Sequence, residues 1–498
     1  MNMFKFFLVT SLLGAIANLV QAPWNFFFLI FLIFPILHII LDKIIRNQKY
    51  RKRFISVFIL LGGFLYFYFL FGFSWIIYAF EYKPELSSFK YITLFGLPFL
   101  MLIFASPSFI IPTIFWDTKF IKTISLAACI SIGEFLRGNI FTGFSWNNFS
   151  HALAAHDNFM QIFSITGQYL ATFLLILCTQ FVLFFWKKID YFKALILLSI
   201  LPIIFFYGST RIKENTFINN RVISVIQPNV LQSDKIDSSD RYEAVKNLID
   251  LSNNHEADLI IWPESSVPLL LQYNPEIIQF IIDNISSKSE ILIGNVTFQN
   301  EKFRNSALLI DQSKEIKAIY DKTHLVPFGE YMPFKNLLSK LPFLKIVTGD
   351  IGFESGEEVK TINTSLGNAR IAICYEIIFP EEINPNKEDL DFIVNITNDA
   401  WFGNSSGPYQ HFISSRFRAI EQGTPVFRSA NTGISAIIDP YGRVIDLVEL
   451  ESKGSIVSPL AKKTNETFYS KVGDFLFFSV LVLTLIIMVL LKKKKNYG

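Results

Sequence analysis

Three reactive side chains stand just past the ends of short apolar runs in the C-terminal half of the chain. Glu264 follows Leu259-Ile260-Ile261-Trp262-Pro263, Lys322 follows Ala318-Ile319-Tyr320-Asp321, and Cys374 follows Ile371-Ala372-Ile373. At strand ends of α/β domains the sheet fixes such groups while loops shape a cleft around them. Brought together, the three would form an acyl-transfer site. A thiol is a weak nucleophile near its free pKa of about 8.5, so a base or a positive neighbour must generate thiolate. Glu264 supplies the base. Lys322 supplies a preorganised cation for the developing oxyanion, a role worth roughly 3–4 kcal/mol. The nearby histidines, His255, His324 and His411, make neither an HExxH nor a Cys/His zinc spacing, so no metal and no cofactor is implied. Plainer readings exist for each residue alone. A glutamate after proline can open a helix, a lysine beside Asp321 can be a surface pair, and a lone cysteine is often a small buried hydrophobe. Their shared context and order favour chemistry.

The elements that must position these groups follow from composition. The chain has 498 residues, of which 51% are hydrophobic and only 17% charged, with 54 Phe and a net charge of +3. Soluble proteins average about 25% charged residues, so the deficit points to lipid. The small net charge gives no reason to expect a nucleic-acid partner, and three cysteines are too few for a disulfide scaffold. Residues 1–207 hold seven apolar runs near the ~20 residues a membrane helix needs: roughly 4–20, 25–41, 54–80, 91–116, 120–141, 162–186 and 191–207. Residues 208–473 become polar, with short β-branched runs such as Val222–Ile226, Ile291–Ile293 and Phe392–Ile396 alternating with helical patterns such as 241–251 and 276–285. That alternation predicts an α/β sheet domain. An eighth apolar run, 475–491, leads into a tail with four lysines, 492–495.

Basic residues give the threading. One loop holds Lys43, Arg46, Lys49, Arg51, Lys52 and Arg53; further clusters are Lys119 with Lys122, then Lys187, Lys188 and Lys193, then the terminal lysines. All fall on one side if eight spans alternate, and positive loops are cytoplasmic. Both termini are then cytoplasmic, and residues 208–473 lie on the far face, the periplasmic one in a bacterium. An oxidising compartment disfavours an idle thiol, which makes Cys374, alone in that domain, more telling.

The segments around the three residues resemble the Glu-Lys-Cys blocks of the nitrilase (carbon-nitrogen hydrolase) superfamily. These are Trp262-Pro263-Glu264-Ser265, Tyr320-Asp321-Lys322 running on through Leu325-Val326-Pro327-Phe328-Gly329-Glu330-Tyr331, and Ile373-Cys374-Tyr375-Glu376. The membrane runs and several further segments narrow the likeness to the bacterial apolipoprotein N-acyltransferase family. Those segments include Gly72-Phe73-Ser74-Trp75, Glu134-Phe135-Leu136-Arg137-Gly138, Thr142-Gly143-Phe144-Ser145-Trp146, Asn398-Asp399-Ala400-Trp401-Phe402-Gly403, Gln410-His411-Phe412 and Arg428-Ser429-Ala430-Asn431. The resemblance implies a four-layer α-β-β-α sandwich on a multi-pass helical membrane base. It implies Glu264 as general base, Lys322 as oxyanion holder and Cys374 as nucleophile, with Glu330, Tyr375 and Glu376 supporting them. One position departs from the pattern: Ile236 stands where members often carry Trp, which leaves lipid contacts there open.

The activity so implied is a ping-pong transfer of the sn-1 acyl chain of a phospholipid, expected to be phosphatidylethanolamine, through a Cys374 thioester. The acceptor is the α-amino group of a diacylglyceryl-cysteine apolipoprotein, the last step of lipoprotein maturation. Trp401 and Phe402, apolar residues in a polar Asn/Asp/Gly segment, are candidates to cover the cleft and bind substrate. A membrane-tethered amidase using the same triad is the rival enzyme. A transporter gated by the soluble domain is the rival of another class, and the runs lack the charge pairs it needs, apart from Glu134 and Arg137.

Overall fold

The structure, a computed structural model, describes residues 3–81, 84–185, 191–230, 241–286, 289–333 and 352–497. Lys187, Lys188 and Ile236 lie outside them. The chain divides into two compact units. One comprises Met1–Ser74, Tyr91–Lys213 and Lys471–Gly498, the other Trp75–Lys90 and Glu214–Ser470.

In the first unit, seven helical stretches are long and apolar enough to cross a membrane: Met3–Val20, Phe27–Ile45, Tyr50–Gly72, Ser87–Ile114, Phe163–Phe184, Tyr191–Arg211 and Phe475–Lys493. The remaining predicted run, 120–141, is also a helix, Lys119–Asn139. It carries Lys119, Lys122, Glu134 and Arg137, so its composition is less apolar than that of the other seven, and the expected count of eight is approximate. The third helix stops at Gly72, short of the predicted residue 80, and Ser74–Phe80 form 3-10 turns instead. Gly72 leaves room for the Asn147 amide, which a Cβ there would meet at 2.2 Å.

Glu134 and Arg137 have a structural use in this unit. Glu134 accepts from the Phe149 amide and from Thr172 Oγ1, both at 2.6 Å. Arg137 donates to the Phe144 carbonyl and to Asn148 Oδ1, both at 2.7 Å. Both side chains are buried, and together they tie down the Phe144–Phe149 turn, whose backbone groups would otherwise lack partners away from water.

The second unit is built on two six-stranded sheets. The first contains β1 (Phe217–Gln227), β2 (Leu259–Ile261), β3 (Glu290–Gln299), β4 (Lys302–Ile310) and β5 (Ile316–Asp321). The second contains β6 (Thr361–Thr364), β7 (Gly367–Ile373), β8 (Phe392–Thr397), β9 (Val426–Ala430), β10 (Ser435–Ile438) and β11 (Val444–Val448), while β12 (Gly454–Ala461) returns to the first. The orders are β12-β1-β2-β3-β4-β5 and β11-β10-β9-β8-β7-β6. In each sheet three central strands run parallel, β1-β2-β3 and β7-β8-β9, with antiparallel strands outside them.

Side-chain alternation sets the layers. Val225, Leu259, Ile261 and Leu292 join Ile371, Ile373, Val394 and Ile396 in one core between the sheets, which includes Cys374. The alternate residues Ile226, Ile260, Trp262, Ile291 and Ile293 face outward onto Val245, Leu248, Ile278 and Ile281, from the helices Arg241–Ser252 and Pro275–Asn284. Trp262 also finds a polar partner there, donating Nε1–H to Ser252 Oγ at 2.9 Å. On the other side the helix Ser406–Gln422 packs on β9 and β10. The result is the expected α-β-β-α sandwich, in which strands buried on both faces read as continuous apolar runs.

Candidate active site

Each of the three candidate residues leaves the C-terminal end of a strand. Glu264 follows β2, and its turn is held against β3 by the Trp262 amide bonding to the Leu292 carbonyl and the Ser266 amide to the Gly294 carbonyl, both at 2.9 Å. Gly294 is required there, because a Cβ would stand 2.2 Å from the Pro263 carbonyl oxygen and 2.6 Å from Glu264 Cα. Lys322 follows β5, its amide donating to the Asn305 carbonyl at 2.8 Å. Cys374 follows β7 and opens a 3-10 turn, Cys374–Ile378, with φ +50°. That left-handed conformation is costly for a residue with a Cβ and is found where surrounding structure imposes it.

The structure brings Glu264, Lys322 and Glu330 into direct contact. Lys322 Nζ lies 2.8 Å from Glu330 Oε1 and 3.6 Å from Glu264 Oε1. Asn305, which sequence reasoning missed, bridges the two carboxylates: its Nδ2 donates to Glu264 Oε1 at 2.6 Å and to Glu330 Oε1 at 3.0 Å. The second oxygens are held by the main chain, Glu264 Oε2 by the Asn398 amide and Glu330 Oε2 by the Val326 amide, both at 2.8 Å.

Electrostatics link this cluster to the sulfur. Burial alone would lower the Lys322 pKa, but Glu330, Glu264 and Cys374 override it and hold the ammonium well above the ordinary lysine range. For Cys374, burial pushes the thiol well up and Glu264 pushes it further, while Lys322 pulls it down. The side chain of Thr397 lies within hydrogen-bonding reach of the sulfur and favours the thiolate. Exposure of Cys374, Glu264 and Lys322 is 7, 6 and 1%, so the cluster is nearly dry and its charges are little screened.

Glu376 fastens the nucleophile turn to the lysine turn. Its Oε1 accepts from Tyr320 Oη at 2.7 Å and from both the amide and hydroxyl of Thr323 at 2.8 Å. Its Oε2 accepts from the Ile373 amide at 2.7 Å. Tyr375 turns its ring onto Phe379 and His324, at 5.0 and 5.3 Å. His324 itself pairs with Glu382, Nδ1 to Oε1 at 2.7 Å, and stacks on Phe379. Of Trp401 and Phe402, both half-buried in the turn Asp399–Phe402, Phe402 packs its ring edge-on to Trp75 at 4.7 Å and to His411 at 5.6 Å.

A second polar group, also missed, lies against the Cys374 carbonyl. His411 Nε2 is 3.1 Å from the Cys374 carbonyl oxygen and Nδ1 is 2.8 Å from Asp399 Oδ1. Arg428 Nη2 donates to Asp399 Oδ2 at 2.6 Å. Burial raises the Asp399 pKa, but Arg428 and His411 outweigh it and bring the carboxyl down to about 2. Burial draws His411 below the ordinary imidazole value, against the pull of Asp399.

The chain is similar to known proteins over nearly its whole length. The carbon-nitrogen hydrolase family matches residues 223–466, and the apolipoprotein N-acyltransferase N-terminal domain matches residues 13–181. The apolipoprotein N-acyltransferase of Rhodopseudomonas palustris is 32% identical, covering 98% of this chain and 95% of its own. That of Rickettsia prowazekii is 34% identical, covering 98% and 99%. Among solved structures, Saccharomyces cerevisiae Nit3, a member of branch 10 of the nitrilase superfamily, is 16% identical and covers 48% of this chain and 90% of its own, with a TM-score of 0.38.

Proposed function

The chain belongs to the apolipoprotein N-acyltransferase family, and on that premise we propose that Glu264, Lys322 and Cys374 carry the acyl group across in two steps through a thioester. The enzyme is an N-acyltransferase of lipoprotein maturation and a multi-pass membrane protein. The observation that carries the triad assignment is the buried Lys322 ammonium, fixed between Glu330 and Glu264 and electrostatically coupled to the Cys374 sulfur.

In the first step Glu264 takes the thiol proton as Sγ bonds to the sn-1 ester carbonyl carbon of a phospholipid, phosphatidylethanolamine in this reading. Lys322 holds the oxyanion. Collapse breaks the ester C–O bond, and Glu264 returns the proton to the departing glycerol oxygen, releasing lysophospholipid. In the second step the α-amino nitrogen of a diacylglyceryl-cysteine attacks the thioester. An amine of pKa about 7.7–8.0 is partly neutral near pH 7 and so competent to do this. The C–N bond forms, the C–S bond breaks, and Glu264 passes the amine proton to sulfur.

The near-complete burial of the triad supports transfer over hydrolysis, since water excluded from the thioester cannot consume it. Placing the sandwich on the periplasmic face, with both termini cytoplasmic, follows from the distribution of basic residues. Two lipid-anchored substrates then meet the enzyme in one plane, which raises their effective concentration. Trp401 and Phe402 are proposed to border the cleft.

Intact-mass spectrometry of the purified protein incubated with phosphatidylethanolamine tests the reading. A fatty-acyl increment on wild type, absent from Cys374→Ala and discharged by a diacylglyceryl-cysteine peptide, is expected. An active enzyme that never carries the increment overturns the thioester step.

A further inference from the structure

The left-handed backbone at Cys374 needs something to hold it, and the carbonyl of that residue has one side-chain partner described. His411, fully buried on the helix Ser406–Gln422, places Nε2 3.1 Å from the Cys374 carbonyl oxygen. A carbonyl oxygen only accepts, so this bond needs a proton on Nε2, and the carboxylate contact needs one on Nδ1, so the two bonds are made together by the imidazolium. The ring's orientation is fixed from several directions. Asp399 Oδ1 lies 2.8 Å from Nδ1, and that carboxylate is itself anchored by Arg428 at 2.6 Å and by Thr397 Oγ1 at 2.9 Å. Phe402 sets its ring edge-on to the imidazole, and Trp75 sets its own against Phe402. Gly403 and Gly407 make room for this packing, since a Cβ on either would meet Tyr78 at 2.7 Å or Phe402 at 2.8 Å.

We propose that His411, seated by Asp399 and backed by Phe402, is a positioning residue that donates Nε2–H to the Cys374 carbonyl and so holds the nucleophile's backbone in its left-handed conformation. The role is distinct from that of the triad. His411 touches neither sulfur nor acyl group in this scheme; it sets the angle at which the Cα–Cβ bond leaves the strand end. A small misplacement of a nucleophile relative to its base and oxyanion donor is costly in rate. The inference rests on Cys374 being the acyl-transfer nucleophile.

Two substitutions separate the contacts of the ring. His411→Asn keeps an amide facing Asp399 but is too short to reach the Cys374 carbonyl. His411→Gln places its amide nitrogen where Nε2 stands. Each is compared with wild type in acylation by phosphatidylethanolamine and, independently, in alkylation of Cys374 by iodoacetamide, with Cys374→Ala correcting for Cys129 and Cys178. Expected is a fall of about tenfold or more in the kcat of acylation for Asn, with KM unchanged, a parallel slowing of alkylation, and rescue by Gln to within about threefold of wild type. Equal rates for Asn and Gln, or wild-type rates for Asn, overturn the proposal. Should the Asn protein not fold, the Gln protein decides alone: the proposal requires it to fold and react within about threefold of wild type, and slower reaction refutes it. If wild type gains no Cys374-dependent acyl group, the acyl-transfer reading fails, while the alkylation rates still judge His411.

Discussion

Lys322 and Glu330 form a buried ion pair, Nζ to Oε1 at 2.8 Å, with only 1% of the lysine exposed. Eight residues apart in sequence, they meet because the chain turns back after β5 and the Val326 amide clamps the other carboxylate oxygen. A buried ammonium without its carboxylates would shed its proton; with them it stays a fixed positive charge where an oxyanion would form.

Lys322→Met should therefore lower the rate of acyl-enzyme formation by about 10²–10³-fold, the loss typical of one oxyanion donor. Glu330→Gln should lower it less, because Glu264 still faces the ammonium. It should also move the alkaline limit of activity to lower pH. The lysine pKa is raised in the folded state, so its stabilising charge is complete below the ordinary lysine value and lost as pH climbs through the raised one. Removing a carboxylate brings that loss down. Single-turnover acylation across alkaline pH measures both effects.

Gly294→Ala probes the base without touching it. A Cβ would press on the Pro263 carbonyl and Glu264 Cα, and backbone rather than a side chain must give way. A loss of about 1–3 kcal/mol in stability is expected from such overpacking. It should come with a fall in kcat exceeding any change in KM, read by denaturation in detergent and steady-state kinetics.

Asp399 predicts an acid limb. Its pKa is brought down to about 2, below the ordinary aspartate value of about 3.9. The stabilisation is complete above about pH 4 and lost as pH falls toward 2, worth about 2 kcal/mol. Asp399→Asn should start less stable at neutral pH and lose less on acidification. Melting temperatures between pH 6 and pH 3, compared for the two proteins, would show parallel curves if the idea is wrong.

In the membrane unit, Glu134→Ala would leave the Phe149 amide and the Thr172 hydroxyl without their carboxylate. Each buried group so stranded costs about 1–3 kcal/mol. Thr172→Val strands one carboxylate oxygen and the Ser150 amide but leaves Glu134 facing Arg137, so it should cost less than Glu134→Ala, which also leaves that buried guanidinium without its carboxylate. Thermal unfolding in one detergent ranks the pair, and equal melting points would contradict the assignment.

How much of this was readable beforehand depends on the range of the interaction. Strands such as Ile371–Ile373 and Phe392–Ile396 are legible because burial on both faces makes a short apolar run, and the three residues proposed as the triad are legible as reactive side chains just beyond such runs. Asn305 did not. It sits inside β4, and its partners Glu264 and Glu330 are 41 and 25 residues away, so only the folded sheet joins them. A lone amide in the run Asn305–Ile310 was the available signal. His411 carries no such signal, since it meets a backbone carbonyl 37 residues earlier, which no side-chain motif records. The end of the third helix was misplaced because Phe73–Phe80 remain apolar after the helix stops. Hydropathy registers burial and is blind to the packing that Gly72 allows.

The segment Trp75–Lys90 belongs to the catalytic unit although helices of the other unit flank it in the chain. During synthesis it leaves the ribosome before any strand of the sheets exists, and it must wait for Glu214–Ser470 to be made before Trp75 and Tyr78 reach Phe402 and Gly403. A fragment beginning at Glu214 would contain the whole triad and both sheets, yet expose the aromatic face behind His411 to water. The catalytic unit is thus finished by a piece of polypeptide its own contiguous stretch does not encode, and expressing that stretch alone would yield an unfinished enzyme.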